Sequence, residues 1–564
     1  MRRLLLLAIT LLLGIATAAA QPAKRHMVVA AHPLAAEAGR AILRAGGTAM
    51  DAAVAVQMVL TLVEPQSSGI GGGAFLLFHD AASGKITSWD GRETAPAGVR
   101  PDLFLGPDGH PMAFQTAVLG GRSVGVPGVL RMLEAAHKAH GKLPWADLFA
   151  EAIRLAAQGF AISPRLAAAI AADGDQLRRH ASTRDYFFRP DGTPLPEGAT
   201  LTNPALAETL RAIASEGAGI FYRGAIAADI ATTIRGDTNA GLMTTDDLAA
   251  YTAKQRPPVC GTYREHRVCG MGPPSSGGVT VLQILSLLEH FHLRGLDPAG
   301  ADAAMLIGDA ARLAYADRAK YLADTDITPA PIAGLLAPDY LTARAQLLDP
   351  ARAIVAPRAG NPRWLRATPP PEAAPAPAQP EHGTSHASIA DDAGNAVSIT
   401  MTVEAAFGAR IMVRGFVLNN ELTDFSFLPE IDGRPVANRI EPGKRPRSSM
   451  APTIVYGPDG KLAFVVGSVG GSRIIGHVAG TLLRLIDWQM DAPTAIAAPH
   501  ILSLGVTVEL EADTQAASLA PTLEARGEQV QVRPISSGLN IIQMTPEGPR
   551  GAADPRREGV AVGD

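Results

Sequence analysis

Apolar residues recur at helical spacing through one part of this chain and at strand spacing through another, and the order of the two bears first on its fold. Residues 33–63 show the helical period, broken at Gly46-Gly47. Thr48 and Asp51 have the spacing of a capping box, so a second helix starts there and ends at Glu64-Pro65. The run Ser67-Ser68-Gly69-Ile70-Gly71-Gly72-Gly73 leads into an apolar strand over residues 74–78. A polar turn with Ser83-Gly84 and a second strand ending near Trp89 complete a hairpin. A dinucleotide-binding loop needs a strand before its glycines and a helix after them. Here the order is reversed, so Gly69, Gly71 and Ala74 predict close backbone packing, and no cofactor is expected.

From about residue 130 to 350 the pattern is mainly helical. Asn203-Pro204 supplies a cap with proline in the first turn, and Thr244 with Asp247 repeats the capping-box spacing. Residues 273–278, Pro-Pro-Ser-Ser-Gly-Gly, read as a loop. Residues 367–380 hold six prolines in fourteen positions and predict an exposed, extended linker. Beyond it the period becomes two. Residues 386–390 and 396–402 flank a turn at 391–395, and residues 453–456 and 462–466 flank a turn at 457–460. A helix over residues 475–487 follows. Strands covered by helices, with glycine-rich corners, predict a layered α+β sandwich.

Composition adds limits. Charged residues make up 18% and the formal net charge is −4, so no nucleic-acid partner is expected. No metal-ligand spacing occurs, and no metal is expected. Arg2 and Arg3, an apolar run over residues 4–15 and Ala18-Ala19-Ala20 before Gln21 read as a signal peptide over residues 1–20. The run is short for a membrane span, and no later stretch is apolar enough to cross one, so the expectation is a secreted, periplasmic protein without an anchor after signal cleavage. Cysteine occurs twice. If Arg264-Glu265 is a two-residue turn, Cys260 lies directly opposite Cys269 at a non-hydrogen-bonded position, where strands approach most closely. Export favours a structural disulfide there over two buried thiols.

Candidate chemistry sits where linker meets strand: Glu381-His382-Gly383-Thr384-Ser385-His386. Glycine leaves the carbonyl of the Gly383–Thr384 bond unshielded, and the Thr384 hydroxyl follows it. Cleavage there would leave a threonine whose own α-amine, with a reference pKa of about 7.7–8.0, can act as its base. Spacing alone also fits an ordinary strand start.

The segment from Glu381 to Phe425, together with Pro446-Arg447-Ser448-Ser449-Met450 and Gly467-Ser468-Val469-Gly470-Gly471-Ser472-Arg473, resembles the γ-glutamyltransferase (glutathione hydrolase) family. The resemblance extends upstream through Pro65-Gln66-Ser67-Ser68-Gly69, Asp90-Gly91-Arg92-Glu93-Thr94-Ala95-Pro96, Ser123-Val124-Gly125-Val126-Pro127-Gly128 and the 273–278 segment, in the family's order. It implies a four-layer αββα sandwich of the N-terminal-nucleophile hydrolase type. It also implies a proenzyme cut before Thr384 into a large subunit, residues 21–383, and a small one, residues 384–564.

By the same resemblance Thr384 attacks the γ-amide of glutathione or another γ-glutamyl compound, and the acyl group passes to water, an amino acid or a dipeptide. Arg92 would pair with the substrate α-carboxylate, a task that suits a guanidinium's two parallel donors, with Ser448 and Ser449 sharing it. Glu421 and Asp424 would accept from the α-ammonium. Gly470 and Gly471 would form the oxyanion hole, and Thr402 would hydrogen-bond the amine of the nucleophile. His386 is given no catalytic role and reads as structural. Glu404 stands where many members carry asparagine, Val469 where many carry proline, and residues 425–441 match the family's lid but contain no tyrosine, which predicts a more open pocket. A cephalosporin or glutaryl acylase of the same family, and more remotely an exported non-catalytic binding protein, are the alternatives. Without an α-ammonium in the substrate, Glu421 and Asp424 would lack a cationic partner, and this favours the γ-glutamyl reading.

Overall fold

The computed structural model describes residues 22–366, 369–376 and 383–564. Residues 1–21, which include the expected signal peptide, residues 367–368 and 377–380 of the proline run, Glu381 and His382 lie outside the described residues. The two expected N-terminal helices form as Pro33–Arg44 and Ala49–Val63. The Asp51 carboxylate accepts from Thr48 N at 2.8 Å while the Thr48 hydroxyl accepts from Asp51 N at 3.3 Å, which closes the capping box. Every residue of Ala49–Val63 is buried, because its sequence is apolar around the whole circumference.

Among the described residues two large sheets lie face to face. The first runs Val560–Gly563, Met27–Ala30, Gly383–Ala390, Ala396–Glu404, Gly73–Asp80, Lys85–Gly91, Lys254–Arg256. The second runs Gly548–Ala553, Asn540–Thr545, Leu462–Gly467, Thr453–Tyr456, His266–Gly270, Val259–Tyr263. Successive strand residues serve different cores, as the period of two requires. Val28, Leu76, Ile389 and Ile399 pack with the helix Ala49–Val63. Val29, Leu77, Ile454, Val465 and Ile542 fill the space between the sheets. Val455, Val466 and Ile541 meet Leu282, Leu285, Val478 and Leu482 of the helices Gly277–Leu288 and Ile474–Ile486. The result is helix, sheet, sheet, helix. Each large sheet takes strands from both sides of the Gly383–Thr384 bond.

The expected hairpins at 386–402 and 453–466 form, each with one register shift. Tyr263 pairs with His266 and Cys260 with Cys269, whose Cα atoms are 4.1 Å apart and whose sulfurs are joined. Two expectations change. Gly277 and Gly278 do not belong to a loop: they open the helix Gly277–Leu288, where a Cβ on Gly278 would lie 2.5 Å from Met271 O. The described part of the proline run is not simply exposed. Ala374 N donates to Pro435 O at 3.0 Å and Ala376 N to Ala319 O at 2.9 Å, and both alanine side chains are buried. Extended chain leaves these amides unpaired locally, so neighbouring chain satisfies them.

Between the sheets His386 is fully enclosed, its Nδ1 paired with Thr400 Oγ1 at 2.8 Å and Nε2 with Ser388 Oγ at 3.1 Å. Burial lowers its pKa to about 3, so the ring is neutral. It occupies the space over Gly467, where a Cβ would lie 2.1 Å from its Cε1. Gly467→Ala is therefore expected to cost about 1–3 kcal/mol through overpacking. An unchanged denaturant midpoint for Gly467→Ala would show that the ring can yield.

Candidate active site

Gly383 opens its strand and Thr384 follows it, 4% exposed. The partner strand pairs regularly from Ala396↔Ala390 to Met401↔Ser385 and then slips, so that Glu404 faces Gly383. Such a bulge re-aims side chains next to it. Glu404 sits at φ 76°, a left-handed conformation that a non-glycine residue holds only when its surroundings impose it. The Thr402 hydroxyl accepts from Glu404 N at 2.7 Å and donates to Gly383 O. The Thr384 hydroxyl donates to the same carbonyl oxygen at 2.6 Å. Thr402 thus contacts the carbonyl of the intact bond. A Cβ on Gly383 would lie 2.4 Å from Glu404 O and 3.1 Å from Gln66 O, so only glycine fits.

Arg92 follows the strand Lys85–Gly91, its N–H donating to Asp90 Oδ1 at 2.8 Å and its carbonyl accepting from Tyr251 OH at 2.8 Å. The guanidinium is 1% exposed. It donates to Glu421 Oε1 and Asp424 Oδ2, to Pro446 O at 3.1 Å and to Arg447 O at 3.2 Å. Glu421 and Asp424 lie at the two ends of one 3-10 turn, three residues apart and on one side of it. Glu404 accepts from Asn420 Nδ2. Arg92, Gly383, Thr384, Thr402, Glu404, Glu421, Asp424, Ser448, Ser449 and Gly471 line one pocket, which their side chains fill to about 20 Å³. Gly470 stands beside it at φ 118° and starts the turn into the helix Ile474–Ile486. Backbone N–H groups at such a helix start favour an anion.

Sequence reasoning missed several supports. Arg318, buried on the helix Ala301–Tyr321, donates from Nε to Ser276 Oγ at 2.8 Å and from its terminal nitrogen to Ser449 Oγ. It holds the serine pair against the neck of the helix Gly277–Leu288, where Ser276 Oγ donates to Ser448 O at 2.7 Å. A charged residue on a buried helical face is the signal that could have found it. Asn419 is also buried, with donors on Gly71 O at 2.8 Å and Gly125 O at 2.9 Å, and it orients Glu421 by accepting from its N–H at 3.0 Å. None of residues 425–441 lines this pocket. Phe425, Phe427 and Ile440 are buried with Phe104, and Asn438 Nδ2 donates to Asp424 O at 2.7 Å.

Glu93 was not singled out either. Its carboxylate is buried against Gly73, where a Cβ would meet Glu93 Oε2 at 2.1 Å. Burial raises its pKa to about 8 despite the neighbouring Arg92. Burial and the charges of Glu93 and Glu404 likewise raise that of Glu421, against the pull of Arg92. From its ordinary value of 4.5 up to about 8 the unfolded chain releases a proton that folded Glu93 retains. Stability therefore falls with rising pH across that window. Glu93→Gln removes this contribution, so its melting temperature should gain on the parent's from pH 5 to pH 8; a constant difference would contradict the assignment.

The γ-glutamyltranspeptidase profile matches residues 35–564. A glutathione hydrolase proenzyme of Bacillus subtilis (strain 168) is 38% identical over 547 residues, 96% of this chain and 92% of the relative. The acylase ACY 1 proenzyme of Pseudomonas sp. (strain SE83) is 34% identical over 548 residues, 95% and 93% of the two chains. The solved cephalosporin acylase from Bacillus halodurans superposes with a TM-score of 0.84 at 27% identity, over 97% of each chain. The four layers are those of the N-terminal-nucleophile hydrolases. The extent of these matches establishes that the chain belongs to the γ-glutamyltranspeptidase family.

Proposed function

We propose that the protein is an exported proenzyme that cuts itself between Gly383 and Thr384 and then cleaves γ-glutamyl amides, glutathione among them, through an ester on Thr384. The observation that carries this reading is the Thr384 hydroxyl against the Gly383 carbonyl, in the same pocket as Arg92, Glu421, Asp424, Ser448 and Ser449. In the first step Thr384 Oγ attacks the Gly383 carbonyl carbon. The Thr402 hydroxyl, already on that oxygen, stabilises the developing negative charge. The acyl group moves from nitrogen to oxygen, and water hydrolyses the ester. The freed α-amine of Thr384 then serves as base for the next attack. In that turnover the oxyanion of the γ-carbonyl meets the N–H groups of Gly470 and Gly471. Release of the acyl group to water gives glutamate; release to the amine of an amino acid or dipeptide gives transfer. Residues 22–383 and 384–564 would remain together because both sheets draw strands from each.

The charge balance of the pocket supports an amino-acid end on the substrate. Arg92 is already paired with Glu421 and Asp424. A zwitterion exchanges one set of pairs for another: its carboxylate takes the guanidinium and its ammonium takes the acids. A glutaryl group takes the guanidinium and leaves two buried acids with no cation, which is costly. The solved acylase with the same fold keeps that second reading in view. No helix among the described residues is long and apolar enough to cross a membrane, and residues 1–20 supply the export signal of this reading, with the periplasm as destination.

Sequencing the small fragment of purified enzyme should return Thr-Ser-His-Ala as its first residues; any other start removes Thr384 as nucleophile. Thr384→Ala should remain a single uncut, inactive chain. Asp424→Asn should lower kcat/KM for γ-glutamyl-p-nitroanilide by roughly 10–100-fold, the range expected for a hydrogen bond to a charged group. The same variant should leave glutaryl-p-nitroanilide turnover nearly unchanged. Equal losses on both substrates would argue against an ammonium subsite.

A further inference from the structure

Behind the glycine turn lies a buried polar chain that the steps above do not use. His477, in the first turn of the helix Ile474–Ile486, folds back onto residues 468–470. Its Nδ1 lies 3.2 Å from Val469 O and 3.2 Å from Ser468 Oγ. Ser468 Oγ itself donates to Val469 O at 3.1 Å. A carbonyl only accepts, so Nδ1 carries the proton and Nε2 does not. The ring also lies against Gly470, its Cε1 3.2 Å from the place a Cβ would take. On its far side His500 packs at 4.6 Å between ring centroids. Ser537 spends its hydroxyl proton on Asp554, so His500 Nε2 donates to Ser537 Oγ at 2.7 Å. Both rings are enclosed, and burial lowers both pKa values, that of His477 to about 3.

We propose that His477 is a positioning residue for acyl transfer: by holding the Val469 carbonyl it fixes the orientation of the Val469–Gly470 peptide and so aims the Gly470 N–H. The two ends of a trans peptide point in opposite directions, so anchoring the oxygen on one side commits the N–H to the other. Gly470 at φ 118° has no side chain to limit its rotation, which leaves that task to an outside contact. A neutral imidazole does this without placing a positive charge behind the turn. Val469 is held as well, its Cγ2 2.6 Å from a Cβ position on Gly538. The proposal rests on Gly470 and Gly471 acting as oxyanion donors. It confines His477 to turnover, because the carbonyl oxygen attacked in self-cleavage is held by Thr402.

The test compares His477→Phe, His477→Asn and His477→Gln, with Gly470→Ala as a control. The Asn amide nitrogen reproduces Nδ1, whereas that of Gln reproduces Nε2. His477→Phe and His477→Gln should yield normally cut enzyme with kcat for γ-glutamyl-p-nitroanilide lowered about 10-fold or more and KM within twofold. His477→Asn should stay within about threefold of the parent. A kcat for His477→Phe within twofold of the parent, or Asn and Gln variants that behave alike, would overturn the proposal. So would failure of all three variants to cut themselves; if only His477→Phe fails, the Asn–Gln comparison decides. If Gly470→Ala keeps full kcat, the glycine turn itself is not the oxyanion site. If it slows while His477→Phe does not, only the role of His477 falls.

Discussion

The strand Gly383–Ala390 is hydrogen-bonded on both sides, to Met27–Ala30 and to Ala396–Glu404, and the arrangement of the site depends on that constraint. Met27–Ala30 pairs with Ala387–Ala390, and Ala396–Glu404 continues beside the strand as far as Gly383, which carries the order of the sheet to Thr384. At that end the register slips between Met401 and Glu404. That slip turns Thr402 onto the Gly383 carbonyl and puts Glu404 into a left-handed conformation at the pocket wall. Glycines 71, 72 and 383 let three backbones meet there: a Cβ on Gly72 would lie 2.0 Å from Thr402 O, and one on Gly71 2.1 Å from Val417 O. The bond to be cut is therefore placed by the same hydrogen bonds that build the sheet.

Opposite the nucleophile the constraint is electrostatic. Arg92, Glu93, Glu404, Glu421 and Asp424 are all buried, a surplus of acids around one guanidinium. Leaving such charges unmatched would cost several kcal/mol each, so the fold pairs Glu421 and Asp424 with Arg92, and burial raises the pKa of Glu93 and Glu421. The desolvation of these groups is complete before any substrate arrives. A ligand with one anion and one cation at the right separation meets partners that are already stripped of water. Arg318 and Asn419 lie one layer out, and fix the serine pair and Glu421 respectively.

Much of this was legible along the chain. The capping pairs Thr48/Asp51 and Thr244/Asp247, the cap Asn203, the hairpins and the Cys260–Cys269 register depend on residues close in sequence, and local chemistry decides them. Resemblance to one family supplied the site residues and their grouping. The pocket brings nearly all of them together, although spacing alone left Arg92, Ser448 and Thr402 as ordinary positions.

Long-range packing decided the rest. Residues 273–278 read as a loop along the chain, but the close approach of Met271 O is what makes glycine the residue for the helix start at 277–278. Ala374 and Ala376 are buried only because Pro435 and Ala319 come to meet them. The sequence by itself determined the element order, the glycine-rich corners and the threonine that follows Gly383. Tertiary structure alone decided that Thr402 touches the Gly383 carbonyl, that Arg92 is claimed by its own acids, and that His477 backs the Val469 peptide. Each of the first two joins residues far apart in the chain, and the third needs the turn of the Ile474–Ile486 helix to bring its ends together. A hydrogen bond's existence depends on distance and angle in space, and no spacing along the chain encodes either.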